Sequence, residues 1–328
     1  MSRLFWITFG LIVLGGAGWK LANSIAASTL PALIFSDPNE IAQNKIDLSA
    51  NQQNRNDISE LSATENISPE LKRASTETAR QLSRNMTAEC QILLRPPYVI
   101  AGDFHAKELQ RYYNEIILPV EQALLASYFR ERPTEPVTIL LFSNDTRYQQ
   151  YAQKLDNRWA TGYYGYYNRT KRRILINIST GSGTLVHELT HSFTQKDFPT
   201  LPEWLDEGLA SLHEESDFNK AGTRLVGFSN WRLPLLKNGI QQKKIQSLRS
   251  LMTSQKLRSN KQEIDYAHAR YFCLFLQQKN LLVPFYREFR RNQMGDPSGL
   301  KTLLKVTGNE SLDDIEAEFF TWVTQLKN

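Results

Sequence analysis

The sequence predicts an α+β fold, in which a small mixed sheet with helices carries a histidine-bearing helix and is followed by a mainly helical C-terminal subdomain. Three observations lead there. Apolar runs of strand length at residues 98–101, 137–142 and 174–178 all precede residue 187. Beyond Pro202 the hydrophobic period is helical almost without interruption. The chain has 328 residues and 41% hydrophobic content, enough for one large core with appendages.

The elements follow in order. Residues 98–101 are short, apolar and closed by Gly102 and Asp103, the pattern of a buried strand ended by a turn. A long helix is expected over 106–129, with Leu109, Tyr112, Ile116 and Ile117 at helical spacing. A second strand spans 137–142 and a shorter helix 145–155. Residues 161–167 mix two glycines with four tyrosines and read as an edge or irregular strand. A β-branched third strand covers 174–178. Amphipathic helices are expected near 264–278, 283–292 and 312–326.

Upstream of this unit the composition changes. Residues 4–19 form an apolar run between Arg3 and Lys20, slightly shorter than the roughly 20 residues of an ideal spanning helix. The expected layout is therefore a membrane anchor or signal segment over 1–30, a flexible polar linker with a helical stretch over 31–90, and a folded domain over 91–328. Anchorage with the domain outside the cytoplasm is the first reading, and secretion after cleavage the alternative. The net charge of +5 arises from 39 basic and 34 acidic residues spread along the chain, which argues against a nucleic-acid partner. Two cysteines, Cys90 and Cys273, allow a single bridge or two free thiols, and their spacing is not that of a metal site.

The chemistry concentrates in His187-Glu188-Leu189-Thr190-His191, which follows the third strand and a Gly-Ser-Gly turn. Residues four apart share one face of a helix, so His187 and His191 can direct ring nitrogens at one Zn2+ ion, at about 2.0–2.1 Å. Glu188 then stands beside the ion, free to move a proton. Leu185, Val186, Leu189 and Phe193 give the helix its core face.

A catalytic zinc site keeps three protein ligands and one open position. Glu207 is the leading third ligand, on a helix opened by Pro202 and striped by Trp204, Leu205, Leu209 and Leu212. Asp197, Glu203 and His213 are rivals. Asp197 sits at the offset of the extended zinc motif, but that motif's turn glycine is replaced by Thr194. Glu203 and His213 lie one helical turn or more from Glu207.

Through His187-Glu-Leu-Thr-His191 and Trp204-Leu-Asp-Glu-Gly-Leu-Ala-Ser211 the sequence resembles the gluzincin zinc peptidases, especially the peptidase-MA-like domains of bacterial proteins. The resemblance spans about residue 93 to the C-terminus, with Asp206 standing where many relatives carry asparagine. It implies His187, His191 and Glu207 as zinc ligands and Glu188 as general base. It also implies an oxyanion-stabilising residue in Tyr266-Ala-His-Ala-Arg-Tyr-Phe272, where Tyr266 is the first candidate and His268 the second. A peptide or protein is then the expected substrate, with residues 163–167 as an edge for an extended chain. The alternative is a non-catalytic zinc-fold scaffold, against which the intact Glu188 speaks.

Overall fold

The computed structural model describes residues 67–254 and 256–327. The expected anchor over 4–19 and nearly all of the polar linker lie outside these residues. Among the described residues no helix is long and apolar enough to cross a membrane.

The chain opens with helix α1 (Pro69–Ser83), capped by Ser68, whose side chain accepts from Leu71 N. This is the polar helical stretch expected before the folded part, yet it is docked: Leu82 and Ser75 are buried against the sheet. Strand β1 (Gln91–Arg95) turns through Pro96 and Pro97 into β2 (Tyr98–Gly102). Residues 106–127 form α2 (Ala106–Tyr112), a π turn (Tyr113–Ile117) and α3 (Leu118–Ser127) rather than one regular helix. Pro119 explains the break. It has no N–H, and its ring would collide with a carbonyl of the preceding turn; the wider turn, with Leu118 N–H reaching Tyr113 O, makes room.

Strand β3 (Val137–Phe142) leads to α4 (Asp145–Asp156), which Asn144 caps by accepting from Arg147 N at 3.0 Å. Strands β4 (Gly165–Asn168) and β5 (Arg173–Asn177) complete a five-stranded sheet of order β1-β2-β3-β5-β4. The central β2, β3 and β5 are parallel, and antiparallel β1 and β4 close the two edges.

Both faces of the centre are covered, which is why these strands read as unbroken apolar runs. Val99, Leu140, Phe142 and Leu175 point to α1 and α4. Ile100, Ile139, Leu141 and Ile176 point to the opposite side, where α2, α3 and the next helix, α5 (Gly183–Asp197), pack.

The remainder is mostly helical. After α6 (Glu203–Glu214) comes a short hairpin of β6 (Ser216–Phe218) and β7 (Leu225–Gly227). The sequence pattern does not reveal it, because each strand has three residues and Asn219 shapes the turn by accepting from Thr223 N at 2.7 Å. Helices α7 (Leu233–Gln241), α8 (Leu248–Thr253), α9 (Gln262–Gln278), α10 (Leu282–Asn292), α11 (Leu300–Thr307) and α12 (Leu312–Gln325) follow. The α9 helix lies along α6, and Gly208 lets the two approach, since a Cβ there would stand 2.8 Å from both Ala269 O and Cys273 Sγ. Cys90 and Cys273 are both free thiols.

Candidate metal centre

Helix α5 starts immediately after the sheet and presses Leu185, Leu189 and Phe193 into the core. That pins its orientation and turns His187 and His191 towards α6. Helix α6 answers with Trp204, Leu205, Leu209 and Leu212 in the same core, which leaves Glu207 facing the two imidazoles. All three are buried.

His187 Nε2 and His191 Nε2 are 3.1 Å apart, and each lies 3.5 Å from Glu207 Oε2. Three ligand atoms thus converge on one point. The spacing is close to that of ligands about 2.0–2.1 Å from a tetrahedral zinc. Glu207 Oε2 is buried and accepts no hydrogen bond, although two rings face it. A cation at the centre of the triangle satisfies the carboxylate and both ring lone pairs at once, so the donor set fits a metal of the zinc type.

Burial by itself would raise the Glu207 carboxyl, but the His191 and His187 rings outweigh it and hold the group down at about 2. Glu207 is therefore an anion throughout the neutral range. Burial would likewise make His191 harder to protonate, and the Asp206 and Glu207 carboxylates reverse that direction. Glu188, the next residue along from His187, is buried with no donor to either carboxylate oxygen. Its carboxyl is pushed up, first by burial, with the charges of His187 and His191 acting in opposition.

Around this triangle stands a shell that sequence reasoning did not identify. Asp206 Oδ1 approaches His191 Nδ1 to 3.0 Å, outside ideal hydrogen-bond alignment. Thr194 Oγ1 donates to the same oxygen at 2.5 Å, and Arg169, from the β4–β5 turn, pairs with Oδ2. Thr194, where the extended motif has glycine, thus ties α5 to α6. Glu214 lies 3.9 Å from His187 Nδ1, beyond direct hydrogen-bond range, and is held by Arg232 at 3.1 Å. No local sequence signal marks these contacts, which join residues 12 to 37 positions apart.

Of the two oxyanion candidates, Tyr266 is buried near Glu207, and burial followed by that negative charge keeps its phenol protonated. His268 is two residues further on, about 200° round the helix, and does not join the cluster. It is stacked on Phe319 of α12 with ring centroids 5.6 Å apart and is fully buried. The structure thus places the His268 ring in the helical core, away from the three converging ligand atoms.

The rival ligands are also accounted for. Asp197 is engaged by Arg130, Arg290 and the Tyr286 hydroxyl, which donates at 3.1 Å. Glu203 accepts from Leu257 N and is raised to about 7, mainly by burial. His213 is buried against Tyr128, with ring centroids 5.5 Å apart.

The model of the Peptidase MA superfamily matches residues 121–293, which contain both motif words and Tyr266. The chain belongs to the peptidase MA superfamily. No curated protein matches it. This superfamily is typically metal-dependent, and in this member the His187, His191 and Glu207 cluster is where a metal fits. The match covers the sheet from β3 onward, α5, α6 and α9, so the parts that build the centre fall inside one metallopeptidase-like domain.

Proposed function

We propose that the chain is a zinc-dependent peptidase that hydrolyses peptide bonds with an activated water. The observation that carries this reading is the convergence of His187 Nε2, His191 Nε2 and Glu207 Oε2, with the buried carboxyl of Glu188 one residue from the first ligand. A bound zinc ion supplies acidification of water and polarisation of the scissile carbonyl.

The rest of the mechanism falls to side chains. Glu188 takes the proton of the attacking water and passes it to the departing amine. A carboxyl pushed up by burial suits both steps, because it holds a proton more readily than a solvated carboxylate. Tyr266, kept protonated, donates its hydroxyl hydrogen towards the oxygen that gains charge as the carbonyl becomes tetrahedral. Asp206 and Glu214 stand on the far side of the two imidazoles, where their charges favour a proton on Nδ1 and leave Nε2 to a metal. Strand β4, at the sheet edge beside α5, offers backbone groups to an extended peptide.

In this reading residues 4–19 hold the domain at the outer side of a membrane. Alkaline extraction of membranes that retains the full chain, but releases a chain lacking those residues, tests the anchorage. The catalytic claim is tested with Glu188→Gln. Zinc content should be unchanged and turnover of a peptide substrate should fall about 10²–10⁴-fold; activity close to the parent's contradicts the mechanism.

A further inference from the structure

The loop entering edge strand β4 carries a cation that the fold leaves without a carboxylate. Helix α4 ends on Asn157, whose φ of 50° turns the chain, and Arg158 follows with its backbone N–H donating to Ala152 O at 3.2 Å. The guanidinium lies over the Tyr166 ring at 4.3 Å and near the Tyr163 ring at 5.6 Å. Four cations of the β4–β5 hairpin are paired: Lys171 and Arg173 with Asp156, Arg169 with Asp206, Arg172 with Glu135. Arg158 forms no ion pair among the described residues, and its Nη1 is buried without an acceptor. The side chain as a whole is only half-buried, so its other N–H groups are left to an anion brought from outside.

The location gives that anion a meaning. Gly165 of β4 abuts α5 so closely that a Cβ would lie 2.7 Å from Thr184 Cγ2. Thr184 is one turn before Glu188, on the same face.

We propose that Arg158 is a specificity-determining residue that receives a carboxylate of the substrate at the entry to the β4 edge. The assignment rests on the peptidase reading for the class of substrate. Contact with the two rings restrains the guanidinium, whose planar fork of N–H groups binds a carboxylate in preference to the point charge of lysine. The carboxylate can come from an aspartate or glutamate side chain of the peptide or from its free C-terminus.

The test uses the zinc-loaded full-length chain carrying Glu188→Gln, with Arg158 intact or replaced by Gln or Lys. Each protein is offered a synthetic octapeptide library with free C-termini and the same library amidated, and the retained peptides are sequenced by mass spectrometry. Enrichment of acidic residues in both libraries identifies a side-chain carboxylate, and retention confined to the free acids identifies the C-terminus. Either preference should drop about ten-fold or more in Arg158→Gln and return in part in Arg158→Lys. Equal enrichment with and without Arg158, no anionic preference, or no retention overturns the assignment. Digestion of the same libraries by the zinc-loaded parent separates the two claims. Retention without cleavage contradicts the peptidase reading and leaves Arg158 standing, whereas cleavage indifferent to carboxylates and to Arg158 does the reverse.

Discussion

Glu188 and Glu207 are buried carboxylates on neighbouring helices, and their surroundings push them in opposite directions. The imidazoles keep Glu207 anionic, and burial makes Glu188 a better proton holder. Exchanging either for its amide should therefore have different consequences, with metal lost from one and turnover from the other. Tyr266→Phe removes a donor without removing packing. Its kcat should fall about 10²-fold, with KM little changed, when both are measured on one peptide; an effect confined to KM contradicts the oxyanion role. Asp206→Asn should weaken zinc binding about 10–100-fold in competition with a chromophoric chelator. The two histidines and Glu188 were legible because their chemistry is written in four- and one-residue spacings along one helix, and Glu207 because Pro202 and an apolar stripe mark a second helix able to face them. Asp206, Arg169 and Thr194 were not legible as a shell, because only the packing of α5, α6 and the β4–β5 turn brings them together.

Among the elements, the α6–α9 contact fixes the third ligand. Gly208 follows Glu207, and the space for its missing side chain is filled by Ala269 and Cys273. Gly208→Val should cost about 1–3 kcal/mol by overpacking and lower the thermal midpoint of the apo chain; an unchanged midpoint contradicts the close approach described here. Legibility also varied by element. Strands β2, β3 and β5 declared themselves because burial on both faces demands continuous apolar residues. The β6–β7 hairpin and the edge strand β1 lack that signal, being short or half-covered. The π turn before Pro119 preserves the helical direction while changing its hydrogen bonding, so periodicity alone reads through it.

Across the whole molecule, two buried histidines outside the metal centre contribute to the response to acid. Burial, aided by Arg270, lowers His213 to about 3, and burial, aided by Arg258, lowers His268 to about 3. Both bind a proton more readily when unfolded, so their contribution to stability is present above the ordinary histidine range near 6.5 and is lost as pH falls towards 3. The parent should lose on the order of 2 kcal/mol per such histidine between about pH 6.5 and 4.5 in urea titrations. His268→Leu should lose less, and equal losses would contradict this account. The α+β layout, with strands ahead of residue 187 and helices after it, was legible from the change in hydrophobic period. The covering of the sheet by α1 was not, because its sequence is polar on all but a narrow face.

The most direct measurement is the metal content of the purified full-length chain beside Glu207→Ala, by elemental analysis. The account predicts one zinc per parent chain and a large reduction in the variant, with both proteins folded by circular dichroism; a folded parent without zinc, or a variant that keeps it, contradicts the assignment of His187, His191 and Glu207.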